Sequence, residues 1–165
     1  MVSEDALLAL MRDRRSIRRY LDRPVPREAL YRLLEAARWA PSAHNRQPWR
    51  FAVLEDAARR ASLAAAMGER FRADLLADGL ADEAAERQVQ RARGRVRGGP
   101  GGFGFFVRLG GMGRSFESGP QDAERLMAVQ SVALAAQNLL LQAHAEGLGA
   151  CWMCAPLFCP DVVRA

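Results

Sequence analysis

The stretch DAERLMAVQSVALAAQNLLLQAHAEG, residues 122–147, constrains this chain more than any other. Asp122 and Glu124 put acid in a first helical turn, where the backbone dipoles favour it, and Gly147 supplies a left-handed stop. Between them, Leu126, Val129, Val132, Leu134 and Leu139 are spread around the helix and do not form one stripe. A helix that is apolar on every face must be covered on every face. A domain of 165 residues rarely covers so long a helix by itself, so burial in a subunit interface is expected.

The rest of the chain supplies the partners for that helix. Residues 4–13 are expected to form a helix with Ala6, Leu7, Leu10 and Met11 on one face. Residues 27–40 form a second, with Leu30, Leu33, Leu34 and Ala37 on one side, stopped by Pro41. Trp49 to Leu54 reads as a short strand. Residues 56–67 read as an alanine-rich helix ending at Gly68, and 71–93 as helix-compatible and polar. Residues 103–109 offer at most one strand, because glycine at that density makes strands costly in entropy. GLGACWMCAPLF reads as turn, strand and loop, and Pro160 opens another helical turn.

Charge narrows the function classes. The formal net charge is +5, yet the segment from Arg87 to Arg114 alone holds seven Arg and no acid, so the remainder carries 5 − 7 = −2. The basicity is local, and it lacks the regular aromatic interleaving of a nucleic-acid surface, so no nucleic-acid partner is expected. No uninterrupted apolar run approaches about 18 residues, so no transmembrane helix is expected. The N-terminal stretch runs from acidic to basic, opposite to a secretory signal, which places the chain in the cytoplasm. Cys151, Cys154 and Cys159 lie within nine residues. Zinc would need about two further ligands, and a dithiol motif would open a helix, so neither metal nor disulfide is expected and small buried side chains are favoured.

Two polar constellations carry chemistry. RRSIRR places Arg14, Arg15 and Arg18 around Ser16 just after a helix. Guanidinium forks bind phosphate oxygens in pairs, and three of them offset a phosphate monoester's charge of about −2. PSAHNRQPWR, residues 41–50, sets Ser42, Asn45 and Gln47 between two stiffening prolines beside a large aromatic. Those side chains donate and accept along the edge of a flat heterocycle or a polyol. His44 invites a general-base reading, but no nucleophile elbow of the form G-x-S-x-G accompanies it, so a polar contact is favoured.

RRSIRRY, a gap of about 20 residues, and then ARWAPSAHNRQPWRF together resemble the FMN-dependent nitroreductase family. The long helix resembles that family's central dimer helix, and EGLGACWMCAPLF its strand and flavin-side loop, with weaker likeness to the branch of deazaflavin-coenzyme biosynthesis reductases. The resemblance implies an α+β fold with a central mixed or antiparallel sheet flanked by helices, in one domain over residues 1–165. It implies that Arg14, Arg15, Ser16 and Arg18 hold the FMN phosphate and ribityl chain. Pro41, Ser42, Ala43, Asn45 and Gln47 would line the flavin held by the other subunit of a homodimer, and Cys154 and Ala155 would lie on its face. Hydride would pass from NAD(P)H through FMN to a small electron acceptor such as a nitroaromatic or quinone, with no separate catalytic acid or base. Two alternatives are a reductase for a flavin-type or deazaflavin-type biosynthetic intermediate, and a flavin-binding dimerisation module without activity.

Two departures accompany the resemblance. Residues 97–120 put glycine and arginine where a Val/Ile-rich strand is expected. A shifted reading frame in GC-rich DNA gives that composition; a glycine-rich loop with a short strand is the other reading. The chain also stops short of the family's usual C-terminal elements.

Overall fold

The computed structural model describes residues 4–97, 102–107 and 118–164. In chain order the elements are α1 (Glu4–Asp13), α2 (Arg27–Arg38), a 3-10 turn (Ala43–Asn45), β1 (Trp49–Leu54), α3 (Ala57–Ala77), α4 (Asp82–Arg97), β2 (Gly102–Val107), α5 (Ser118–Ala145), a second 3-10 turn (Ala155–Phe158) and α6 (Pro160–Arg164). They fall into two compact units. One comprises Met1–Ser16, Val25–Ala52 and Phe103–Cys151, the other Ile17–Pro24, Val53–Gly102 and Trp152–Ala165.

The first unit is built on α2 against α5. Leu33, Ala37, Ala40 and Trp49 pack with Val132, Ala135, Leu139 and Ala143 in one cluster, edged by Phe51, Leu148 and Ala150. The α5 face of that cluster alternates small and larger side chains, Ala135 and Ala143 with Val132 and Leu139, which pack with Leu33 of α2 and with Trp49. Trp49 is 5% exposed, so this large aromatic anchors the end of the preceding loop in the core. β1 and β2 pair in a two-stranded sheet. An isolated parallel bridge joins Ser16 to Ala150, drawing the RRSIRR segment onto the chain just after α5.

Only one side of α5 is covered within this unit. Ala128, Val132, Ala135, Ala136, Leu139 and Ala143 are buried, whereas Leu126, Val129 and Leu134 are 58%, 47% and 46% exposed. No uninterrupted apolar run reaches about 18 residues, yet Asp122–Ala145 is by length and composition long and apolar enough to cross a membrane, because isolated polar residues interrupt its apolar runs without outweighing them. Several of those residues make specific contacts within the unit, as a packed core helix requires.

The second unit centres on α3 and α4 packed side by side, with α6 against α3. Asp56 caps α3: its Oδ1 accepts from the backbone N–H of Ala58 at 2.7 Å and of Arg59 at 3.0 Å. These two hydrogen bonds, Arg59's the larger, hold the Asp56 carboxyl below its ordinary value. The expected stop at Gly68 does not occur. α3 runs through it to Ala77, and the chain turns only at Gly79, whose φ is 83°. Gly68 is a spacer for one side chain: the Arg93 side chain of α4 lies where a Cβ would be, and a larger residue there would have to displace it. Residues 71–93 are correspondingly divided between α3 and α4. Within 97–120, the six residues of β2 are strand, in line with the expected strand, while 98–101 and 108–117 lie outside the described residues.

Candidate functional site

Residues 41–50 form a tight loop between α2 and β1, and its backbone is unusual. His44, Asn45 and Gln47 all have positive φ, at 53°, 52° and 47°. Asn and, less readily, His enter the left-handed region, whereas Gln does so at a cost of roughly 1–3 kcal/mol. Local hydrogen bonds hold this shape. The Asn45 N–H donates to the Ser42 carbonyl at 2.9 Å, and the Gln47 N–H to Ser42 Oγ at 3.0 Å. Ser42 Oγ is therefore already an acceptor inside the loop. The Gln47 side chain reaches Asn45 Oδ1 from its Nε2 at 3.5 Å. Pro41, His44, Asn45 and Gln47 are exposed, and Ser42 and Ala43 half-buried, so the edge of the loop is open to a ligand.

α5 grips the inner side of the same loop. Ser131 is 2% exposed; its Oγ donates to the Met127 carbonyl at 2.7 Å and accepts from the Ala43 N–H at 3.3 Å. Arg46 Nη1 donates to Glu124 Oε2 at 2.8 Å. Sequence reasoning missed both α5 residues. Ser131 could have been noticed as the polar residue between Gln130 and Val132 on an otherwise apolar helix, but its partner is a backbone amide with no signature of its own.

Arg14, Arg15 and Ser16 follow α1 in the same unit as the loop, whereas Arg18, Cys154 and Ala155 belong to the other. Arg14 is half-buried; Arg15, Ser16 and Arg18 are exposed. Arg15 donates from Nη1 to the Arg14 carbonyl at 3.0 Å and to the Arg12 carbonyl, satisfying groups at the C-terminal end of α1. Among the described residues, none of Arg14, Arg15 and Arg18 forms an ion pair with a carboxylate, although Arg32, Arg46, Arg70 and Arg72 do. Arg14 and Arg15, without carboxylate partners and next to the Ser16 hydroxyl in the chain, are a donor set that suits a phosphate monoester. The loop's exposed amides fit the edge of a flavin ring or its ribityl chain.

The cysteines differ from the expected uniform burial. Cys159 is 3% exposed and donates to the Ala155 carbonyl at 3.7 Å, Cys151 is half-buried, and Cys154 is exposed at the start of the second 3-10 turn. Burial pushes the Cys159 thiol up. The Trp152 indole N–H donates to Cys154 Sγ at 2.9 Å, which orients that sulfur. The expected strand at GLGACW is reduced to the single bridge at Ala150, and the loop to a 3-10 turn.

Comparison with known proteins brings these features together. An NADH dehydrogenase of Thermus thermophilus is 53% identical over 66 residues, which are 39% of this chain and 32% of that protein. A nitrobenzene nitroreductase of Ectopseudomonas oleovorans is 47% identical over 64 residues, 39% of this chain and 28% of the relative. The matched stretch thus spans about a third of the length of these curated relatives. Among solved structures, an FMN-dependent nitroreductase from Mycobacterium smegmatis in complex with NADPH superposes with a TM-score of 0.71 at 26% identity, covering 97% of this chain and 79% of that one. A nitroreductase-type protein from Desulfovibrio desulfuricans in complex with FMN gives 0.66 at 30% identity, with 98% and 78% covered. The nitroreductase family profile matches residues 11–164. The fold is therefore nitroreductase-like, and the chain belongs to the nitroreductase family.

Proposed function

We propose that this chain is an FMN-dependent oxidoreductase that moves hydride from NAD(P)H to a small electron acceptor, working as a homodimer in the cytoplasm. The observation that carries the reading is the hydrogen-bonded loop at 41–47 with its exposed Asn45 and Gln47, in a chain that also carries the RRSIRR motif with Arg14 and Arg15 free of carboxylate partners among the described residues. Bound FMN supplies the hydride chemistry. The protein's part is to bind and orient. Arg14, Arg15, Arg18 and Ser16 neutralise and fix the phosphate end, while Asn45 and Gln47 present polar groups to the ring edge and Ser42 Oγ fixes the loop that carries them. Cys154, whose sulfur accepts from the Trp152 indole N–H, and Ala155 would lie on the flavin face, as the family resemblance implies. The NADPH complex of the mycobacterial relative supports a nicotinamide donor. The uncovered apolar residues of α5 support the dimer, and three free cysteines suit a reducing compartment.

The test is direct. The purified chain, reconstituted with FMN, should show a visible flavin spectrum that bleaches on anaerobic addition of NADPH and recovers with a nitroaromatic or quinone. A flavin-loaded chain that does not bleach would leave a binding module, and a chain that takes up no FMN would overturn the reading. Arg14→Ala should weaken FMN by roughly 10–100-fold, the worth of one charge-assisted hydrogen bond, without shifting the unfolding midpoint. Unchanged flavin affinity would remove Arg14 from the phosphate site.

A further inference from the structure

α5 carries a second pattern beneath its apolar one. Glu124, Ser131 and Asn138 are spaced seven residues apart. Seven residues are nearly two turns, with a drift of only about 20°, so these three side chains lie on one line along the helix. Each reaches the chain that runs from α2 into the flavin-motif loop. Asn138 Nδ2 donates to the Ala36 carbonyl at 3.1 Å, Ser131 Oγ accepts from the Ala43 N–H at 3.3 Å, and Glu124 takes Arg46 at 2.8 Å. A further contact follows just past the end of α5, where Glu146, braced by Gln142 at 2.8 Å, receives Arg32 through a two-pronged fork at 2.8 and 2.7 Å. As the residue number rises from 124 to 146, the partner number falls from 46 to 32, so the seam runs antiparallel to α2 and its loop.

The seam bears on the site through the loop's strain. His44 and Asn45 hold left-handed backbone between two seam contacts, at Ala43 and Arg46, and Gln47 does so just after the second. Such a conformation persists only where surrounding contacts over-determine it. The Ala43 N–H sits at the entrance to the strained turn, and the hydroxyl it meets is nearly fully buried. The apolar packing of α2 on α5 ends at Trp49 and Ala40 and leaves the turn between them to these polar contacts.

We propose that Glu124, Ser131 and Asn138 form a positioning seam that holds the 41–47 loop in its ligand-ready shape, with Ser131 as the central positioning residue. The inference rests on the FMN reading only for the ligand; the restraint on the loop stands independently of it. Ser131→Ala removes the acceptor for the Ala43 N–H while adding no bulk to α5. It should speed hydrogen exchange of the 43–47 amides about tenfold, the loss of roughly one net hydrogen bond, and weaken FMN by a similar factor. Exchange in the middle of α5 and the unfolding midpoint should stay as in the parent. A second pair of variants removes dependence on one substitution. Arg46→Glu alone and Glu124→Arg alone should each loosen the loop, and the double exchange should restore its protection. Parent-like exchange at 43–47 in Ser131→Ala, or a double exchange no better than either single, would overturn the seam. If the parent takes up no FMN, the flavin reading falls and the exchange measurement alone decides the seam.

Discussion

His44 lies at φ 53° with its side chain exposed, in the middle of the strained turn. A general base needs a held orientation and a partner, whereas the backbone here explains the residue differently: a short planar side chain is among the few that tolerate left-handed geometry. Asn tolerates it better. His44→Asn should therefore keep turnover of the FMN-loaded chain within about threefold, whereas losing a general base would cost about 100–10,000-fold. Steady-state rates with NADPH separate the two, and a loss of the larger size would reinstate His44 in the chemistry. Asp56 illustrates the opposite case, a residue whose role is wholly local. Its folded carboxyl titrates below the ordinary value because two N–H groups hold the charged form. That contribution is fully present above the unfolded carboxylate value, about 4, and is lost as pH falls through the depressed folded value. Asp56→Asn keeps a side-chain acceptor for the cap but removes the titration. Its stability should fall less steeply than the parent's on acidification, in denaturant curves at a series of pH values. Parallel acid limbs would show that the cap is not their source.

α5 is the element on which packing and site meet. Leu139, 4% exposed, faces α2 within the core cluster, so Leu139→Ala should cost about 2–5 kcal/mol in denaturant unfolding by leaving a cavity that alanine neighbours cannot fill. A cost below about 1 kcal/mol would mean that the two helices close the gap by sliding. The periodicity of α2 was readable in the sequence because it buries a recurring apolar face, that of α5 because its apolar residues run nearly unbroken over its length, and β1 because its apolar run begins at an anchoring tryptophan; α1 was readable as a helix, but Leu7 and Met11 of its expected apolar face are exposed. Gly68 was misread for a physical reason. A glycine stop and a glycine spacer look alike locally, and only Arg93 on the neighbouring helix distinguishes them. The polar seam was illegible for a related reason. Glu124, Ser131 and Asn138 stand in plain view at a seven-residue spacing, but two of their partners are the Ala43 N–H and the Ala36 carbonyl. Backbone groups leave no trace in residue identity. The motif residues themselves were legible, whereas the left-handed turn that presents them depends on those unseen contacts.

At the scale of the whole molecule, the division of α5 into a covered and an uncovered side is the decisive fact. Leu126, Val129 and Leu134 remain 46–58% exposed on a helix whose other face is closed by α2. Exposed single apolar residues are ordinary, but three large ones on the uncovered side of one long helix are candidates for a contact. On the proposed homodimer this side of α5 is the contact, and the 41–47 loop would serve the flavin bound by the partner's arginines. Dimerisation and flavin binding would then be one equilibrium and would fail together. Leu134→Asp places a charge on the uncovered side, away from Ala128, Val132, Ala135 and Leu139, so the fold of each subunit should survive, with helical circular dichroism unchanged. Burying an unpaired carboxylate in an apolar contact costs several kcal/mol, enough to shift a micromolar dimer to monomer at the same concentration. Sedimentation velocity with absorbance read at the protein and flavin bands follows both quantities in one cell. The expected result is a slower-sedimenting species that has lost its flavin. A monomer that still carries FMN would show that each subunit completes its own site, and an undisturbed dimer would move the interface off this side of α5.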